Sequence, residues 1–534
     1  MGDVPASLLF ILPRAAPPAG IGPQSIGAKA YGLMRLNQLA LPVPPAFVLG
    51  TAYCREYFAR GGHLPDDART VLSAGLARLE EATGRSFGNA RRPLLVSVRS
   101  GAPVSMPGMM ETVLNVGLNR GNLAGLLRTT GNPRQVHDCY RRLLKGFMEV
   151  VHGAAAGPFD AILERHCASQ GLASPRELDS RTLAEIARET HDLAAAIGPQ
   201  PIPQDPMEQL VATVEAVIRS WNSEKARHYR RLNGIDDALG TAVMVQAMVY
   251  GNSGASSGAG VGFTRDPSTG EAELYLDFEF NAQGEDVVSG RHNANDAARL
   301  VRELPRVVAE LKRIKTVLET EFHDMQDFEF TLEQGRLYLL QTRVGKRTPW
   351  AALRIAVDLV REGLIAPGEA LAHLEGVPLE HIGRARLLSE SAAPPLASGI
   401  PASIGVACGA LVFDSRRAAE LAAAGRHVIL ARPDVHTDDI EGIAAADGIL
   451  TARGGRTSHA AVVARQLGKV CVVGCEALRI AADGADCQIG QQHVTAGEEI
   501  TLDGESGRIY AGRLGVVTER PERELAVLES WRRD

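Results

Sequence analysis

Gly448-Ile449-Leu450-Thr451-Ala452-Arg453-Gly454-Gly455-Arg456-Thr457-Ser458-His459-Ala460-Ala461-Val462-Val463-Ala464-Arg465 passes from an apolar run through a glycine turn into a helical pattern that begins on a histidine. Gly448 to Arg453 has the length and apolarity of a short buried strand. The Ala/Val/Leu face behind His459 continues to a stop at Gly468, and Val470-Cys471-Val472-Val473 then reads as a second strand. Strand, tight loop, helix, strand is an α/β unit with His459 in the first helical turn. Amides of that turn and the positive end of the helix dipole disfavour an imidazolium, keep the ring a neutral nucleophile, and favour an anionic phosphate once it is attached. Thr457 and Ser458 add hydroxyls, one of which can cap the helix. A bare Gly-Gly-x-x-x-His would better fit an ordinary polar helix start. The twelve-residue run from Gly454 to Arg465 is what favours a phosphorylated imidazole.

Size allows several such units. A chain of 534 residues, 45% hydrophobic and 22% charged, is long enough for three or four packed cores at roughly 150 residues per domain. The formal charge of −6 argues against nucleic acid or an anionic membrane surface as main partner, so any phosphate binding must come from specific pockets. Seven cysteines with no Cys-x-x-Cys pair provide neither a disulfide framework nor a zinc site, and a reducing cytoplasm is expected. Leu8 to Leu12 is apolar but lacks a basic stretch before it and is followed by prolines, which suggests an edge strand rather than a signal peptide. No segment approaches the roughly 20 uninterrupted apolar residues that span a bilayer.

From Met1 to about Arg347 strands and helices mix without regular alternation, which predicts an α+β arrangement in two lobes. Asn132-Pro133 signals a helix over Arg134 to Val151, and Gln209 to Leu232 reads as one amphipathic helix carrying Trp221. Thr241 to Val249 reads as a buried strand. The glycine-dense Gly251 to Gly262 and the run Ser105 to Met110 read as loops that close over phosphates or, equally, as simple hairpin turns. Ala351 to Gly363 is a helix within a small connector. Ser389 to Pro401 has the composition of a linker, and Glu519 to Asp534 reads as a charged terminal helix.

The hairpin Met325 to Arg343 supports a spatial argument. In Asp327-Phe328-Glu329-Phe330-Thr331-Leu332 the carboxylates alternate with apolar residues, so Asp327 and Glu329 share one face. A three-residue loop Glu333-Gln334-Gly335 would pair Leu332 with Arg336 and set Asp327 opposite Gln341, with Arg343 emerging on the same face. Two acids and an amide oxygen are hard ligands that suit Mg²⁺ shared with phosphate. Phosphate also needs cations, because phosphoryl transfer is catalysed mainly by positioning and charge neutralisation. Lys29, ahead of a helical Tyr31 to Leu39, and Arg99, ending the strand Leu94 to Val98, are the candidates.

The run around His459 resembles the phosphohistidine domain of pyruvate phosphate dikinases and phosphoenolpyruvate synthases. Pro93 to Ala102, Ser105 to Asn115, Asn281 to Val288 and Met325 to Thr331 are similar to the dikinases' nucleotide-domain signatures, in the family's order. The resemblance implies a multidomain α+β and α/β chain. A two-lobed ATP-grasp nucleotide domain would cover residues 1–347, a helical connector 348–388, a flexible linker 389–404, a swivelling phosphohistidine domain 405–512 and a tail helix 513–534. It also implies ATP phosphates on Lys29 and Arg99, a nucleotide site completed by Asp327, Glu329, Gln341 and Arg343, and a phosphohistidine loop of Gly454, Gly455, Arg456, Thr457 and Ser458. His459 would take the β-phosphoryl with its γ-phosphoryl attached. Inorganic phosphate would then remove pyrophosphate, and pyruvate would be the final acceptor, giving phosphoenolpyruvate.

Departures from the family pattern are few. Gly27-Ala28-Lys29-Ala30 stands where dikinases usually have Gly-Gly-Lys-Gly, and Arg456 stands where they usually have methionine and the synthases arginine. The sequence stops at Asp534, near where the family's pyruvate-binding barrel starts, so a barrel supplied by another polypeptide is expected. Two alternatives remain open. One is a dikinase for another acceptor, against which Thr348 to Leu388 is too short for an inserted acceptor domain. The other is a phosphorylated carrier or regulator that docks through Glu519 to Asp534.

Overall fold

Leu8-Leu9-Phe10-Ile11 forms an edge strand, as its composition suggests: β1 (Leu8–Ile11) pairs antiparallel with β2 (Ala46–Leu49), Leu8 opposite Leu49. The computed structural model describes residues 8–11, 20–104, 106, 109–172, 174–288, 296–379, 382–388, 394–435, 439–456, 458–481 and 484–533. It divides into two compact units, Met1–Ser257 with Leu332–Thr342, and Gly258–Thr331 with Arg343–Asp534. The boundary at Ser257 falls inside residues 1–347, the segment read as a two-lobed nucleotide domain.

In the first unit β3 (Val96–Gly101), β4 (Thr112–Val116) and β5 (Ala242–Ala247) join the edge pair in a sheet of order β1-β2-β5-β3-β4. All its pairings are antiparallel, in keeping with the α+β reading. β5 is buried at all six positions, which explains how an unbroken apolar run comes to be the central strand. Helix α1 (Pro23–Gln38) and helix α2 (Pro133–Val150) pack here. α2 starts where expected, because the Asn132 side chain accepts the Gln135 amide hydrogen at 3.0 Å and Pro133 needs no amide partner. The run Gln209 to Leu232 is not one helix but two, Pro206–Ser220 and Glu224–Leu232. Ser223 turns extended and its hydroxyl accepts from the Ala226 amide at 3.3 Å, so a local cap wins over helix continuation.

α2 also buries a charge that periodicity did not reveal. Asp138 accepts from Asn252 Nδ2 at 2.7 Å and Arg142 Nε at 3.0 Å and pairs with Arg141, and these cations hold its carboxyl well below the usual range against the opposing cost of burial. A depressed folded value means that the stabilisation is complete above about pH 4, the unfolded aspartate value, and is lost as pH falls towards the folded one. Asp138→Asn is therefore expected to cost about 3 kcal/mol or more at neutral pH. Urea unfolding at a series of pH values should also show the variant losing part of the wild type's acid sensitivity.

A second sheet has β6 (Gly258–Phe263), β7 (Tyr275–Phe280), β8 (Gln326–Glu333) and β9 (Arg336–Val344) in the order β9-β8-β6-β7. This corrects the loop reading of Gly251 to Gly262, whose second half is a wholly buried strand. A Cβ on Gly258, Gly260 or Gly262 would come within 2.3 Å of Phe278, 2.6 Å of Phe330 and 2.3 Å of Phe328 respectively, so glycine is there to let aromatic rings lie across the strand. Of the other loop candidate, Ser105, Pro107 and Gly108 lie outside the described residues, while Met106 and Met109 are buried.

Helix α3 (Pro349–Arg361), capped by Thr348 through the Ala351 amide, packs with Ala259, Val261 and Phe263 of β6 in one core. Leu528 of the terminal helix, which spans Glu522–Trp531 rather than starting at Glu519, is buried in that same core. Arg265, fully buried, bonds Glu319 at 3.0 and 3.1 Å and Glu362 at 2.9 Å.

An eight-stranded sheet completes the second unit. Its strands are β10 (Ala397–Ser398), β11 (Ile400–Ser403), β12 (Val406–Val412), β13 (Val428–Arg432), β14 (Gly448–Thr451), β15 (Val470–Val473), β16 (Glu499–Asp503) and β17 (Arg508–Ala511), in the order β10-β17-β16-β12-β13-β14-β15-β11. β12 to β15 are parallel, as the strand-loop-helix-strand reading requires. Ala397–Ser398 and Ile400–Ser403, inside the run read as linker, pair with β17 and β15. Backbone pairing needs no large side chain, so small residues join a sheet edge despite their linker-like composition. Ser389 to Ala393 of that run lie outside the described residues. Among the described residues no helix is long and apolar enough to cross a membrane, and all seven cysteines are free thiols.

Candidate functional site

His459 opens helix α4 (His459–Leu467), directly after the loop that leaves the carboxyl end of β14. Gly454, at φ 111°, makes the turn, the Ser458 amide donates to the Gly455 carbonyl at 3.0 Å, and the buried Ser458 hydroxyl accepts from the Ala461 amide at 3.5 Å. Ser458 is thus the cap that the sequence offered; Thr457 lies outside the described residues. Gly468 ends the helix in a left-handed conformation. His459 is half-buried, with the helix's positive end beneath it.

On the hairpin the turn is shorter than expected. Gln334 and Gly335 take φ 49° and 80°, and Glu333 and Arg336 already belong to the strands, so the connection has two residues in place of three. Asp327 is buried and accepts two bonds from Arg343 Nε, at 2.8 and 2.9 Å, so these two do share a face, but the shorter turn moves the register and, contrary to expectation, Gln341 does not stand opposite Asp327. Burial pushes the Asp327 carboxyl up to about 6, against the pull of Arg343, with Glu329 adding a smaller push. The folded value exceeds the unfolded one, so Asp327's contribution to stability falls as pH rises from about 4 to about 6. At neutral pH its charge is a cost that Arg343 only partly offsets. Glu329 is half-buried, and Gln341 is buried with an Oε1 that receives no hydrogen bond. Among the described residues no group of three or more His, Cys, Asp and Glu side chains is gathered for a metal. Carboxylate and amide oxygens, the donors that Asp327, Glu329 and Gln341 carry, are the type that Mg²⁺ takes alongside phosphate and water.

Lys29 follows a kink in α1 at Gly27, the one residue inside that helix with non-helical dihedrals (φ 77°, ψ 154°). The Ala28 amide donates to the Ala102 carbonyl at 2.9 Å, so the Lys29 turn lies against the end of β3, the strand that carries half-buried Arg99. A Cβ on Gly27 would stand 1.9 Å from the Gly101 carbonyl oxygen. Ala28 and Ala30, the departures noted above, occupy helical positions that alanine fits. Gly27→Ala is therefore expected to cost about 3 kcal/mol, measured as a lowered urea midpoint, and to loosen the turn that aims Lys29.

Within the second unit the histidine loop and the carboxylate-bearing sheet meet. The Arg456 guanidinium lies 4.8 Å from the Tyr275 ring centroid and that of Arg465 5.6 Å from the Phe263 centroid. Desolvation holds both guanidinium values below normal, and for Arg465 the carboxylates of Asp277, Asp266 and Asp327 oppose that effect. Sequence reading did not single out Phe263, Tyr275 or Arg465. Arg465 sat in an apolar helix pattern where a basic residue reads as a surface position, and no local signal marks the two rings.

Residues 60–308 match the family model for the pyruvate phosphate dikinase AMP/ATP-binding domain, and residues 425–507 match the mobile domain of PEP-utilising enzymes. Over 518 residues, 95% of this chain, it is 41% identical to the pyruvate, phosphate dikinase of Rhizobium meliloti. Over 490 residues, 91% of the chain, it is 41% identical to that of Clostridium symbiosum, and over 508 residues 40% identical to the chloroplastic enzyme 1 of Arabidopsis thaliana. The chain is thus similar over nearly its whole length to pyruvate, phosphate dikinases. It spans about half the length of these relatives, covering 58%, 56% and 53% of them. The match to the mobile domain of PEP-utilising enzymes contains His459, its loop and helix α4.

Proposed function

We propose that the chain is the ATP-using part of a pyruvate, phosphate dikinase reaction, with His459 as the phosphoryl carrier. Lys29 and Arg99 are the cations that would neutralise the triphosphate; Asp327, beside Arg343, Glu329 and Gln341 carry the oxygens that would hold Mg²⁺. Mg²⁺, when bound, withdraws charge from phosphate oxygens and orients them. The neutral His459 ring attacks the β-phosphorus. A nitrogen–phosphorus bond forms as the bond from the β-phosphorus to the α-phosphate oxygen breaks, and AMP leaves with that electron pair. Inorganic phosphate attacks the γ-phosphorus, the β–γ bridge breaks and pyrophosphate departs, leaving one phosphoryl group on His459. Pyruvate, as its enolate, is the final acceptor, and the swivelling of the histidine domain brings the carrier to it.

The observation that best supports this reading is a histidine at a capped helix start whose preceding loop, through Arg456, touches within one compact unit the sheet bearing Asp327. Protein incubated with ATP, Mg²⁺ and phosphate should release AMP and pyrophosphate in equal amounts. The isolated phosphoprotein should then be dephosphorylated by pyruvate, offered alone and with cell extract. ADP as the only nucleotide product would reject the scheme, and retention of the label in both pyruvate arms would point to another acceptor.

A further inference from the structure

The geometry points to a docking clamp: the Phe263–Tyr275 ring pair positions the histidine helix by holding Arg456 and Arg465 on either side of His459. The inference rests on the reading of His459 as the carrier. Phe263 ends β6, Tyr275 begins β7, and the two are direct cross-strand partners with rings edge to face, centroids 5.9 Å apart at 79°. Each ring takes one guanidinium from the histidine segment, Arg456 three residues before the nucleophile and Arg465 six residues after it. A third point of attachment lies beside them. The Ala402 carbonyl accepts both Arg465 Nη1 at 3.0 Å and Ser268 Oγ at 3.2 Å, and Ser268 belongs to the turn between β6 and β7.

The residue types suit a contact that must open. Arg465 is wholly buried, and its Nε and Nη2 make no hydrogen bond. Such a guanidinium is costly to desolvate, so the docked state relies on ring contact and on the surrounding carboxylates. When the helix leaves, water satisfies those N–H groups. An aliphatic side chain would gain nothing from release, whereas arginine brings docked and undocked states closer in free energy. The clamp thus sets how often His459 meets the nucleotide and leaves nucleotide affinity unchanged; its members are positioning residues.

A double-mutant cycle with Tyr275→Leu and Arg456→Met tests this, read as the single-turnover rate of His459 phosphorylation and, separately, as ATP affinity by equilibrium binding. Each single change should slow phosphorylation about tenfold, the double change should be no slower than the worse single, and ATP affinity should hold. Tyr275→Phe, which keeps the ring, should retain most of the rate. Additive losses, or rate losses matched by weaker ATP binding, would overturn the clamp. If the wild type takes no phosphate, the carrier reading fails, and hydrogen exchange of the His459–Leu467 amides then judges the clamp without turnover. Faster exchange in each single variant, with no further increase in the double, supports it; unchanged exchange rejects it.

Discussion

His459→Gln is expected to abolish the acid-labile phosphoprotein and to lower AMP formation by about 10⁴-fold or more, because a nucleophile has no substitute once its covalent intermediate is lost. Glutamine keeps a polar side chain at the first position of α4, and the helix retains its Ser458 cap and its Gly468 stop. His459 is half-buried and contributes no apolar side chain to the core beneath, which is formed by Ala460, Ala461 and Ala464. Stability should therefore change by less than about 1 kcal/mol. Thermal unfolding and product analysis on the same preparation separate loss of chemistry from loss of fold. AMP formation that survives the substitution would mean that the histidine is a bystander at a helix start.

Asp327→Asn should show the same separation at the nucleotide site. Removing the charge is expected to slow AMP formation by about 10²–10³-fold, the range for losing one preorganised electrostatic contact to a phosphoryl group. The fold should tolerate it. Burial already pushes the Asp327 carboxyl up to about 6, so an amide of the same shape removes a desolvation cost while it removes Arg343's partner. Arg343 is one-third exposed and can turn to water, and the two effects should cancel to within about 1 kcal/mol. The corresponding Arg343→Met leaves a buried carboxylate without its cation, and the same argument predicts a larger loss of stability. A urea midpoint for each variant, beside its rate of AMP release, checks the pair.

Much of this architecture could be read from local pattern, and its failures share a cause. The histidine loop was legible because three independent signals agree there: an apolar strand, a glycine turn and a Ser-capped small-residue helix. The edge strand Leu8–Ile11 follows from its apolar composition and the prolines after it, and the α+β mix of the first unit from its irregular alternation of strands and helices. Gly258 to Gly262 misled because glycine signals a turn only when nothing occupies the space its missing Cβ leaves, and here Phe278, Phe328 and Phe330 fill it. The strands at Ala397 and Ile400 misled for the converse reason, since sheet pairing depends on a partner far along the chain and not on local propensity. The hairpin's acids were found through alternation. Glu333 was placed in the turn, but Gln334 and Gly335 both take positive φ, close the hairpin in two residues and leave Glu333 in the strand. Arg465 and Asp138 became visible only when tertiary contacts revealed a charge inside a core, for which the sequence carries no periodic mark.

Labelled ATP offers the most direct trial of the carrier role. With Mg²⁺ and inorganic phosphate present, β-³²P should remain on the protein and map to His459, while γ-³²P should leave entirely as pyrophosphate. Label retained from the γ position and not from the β position, with ADP in solution, would contradict the account.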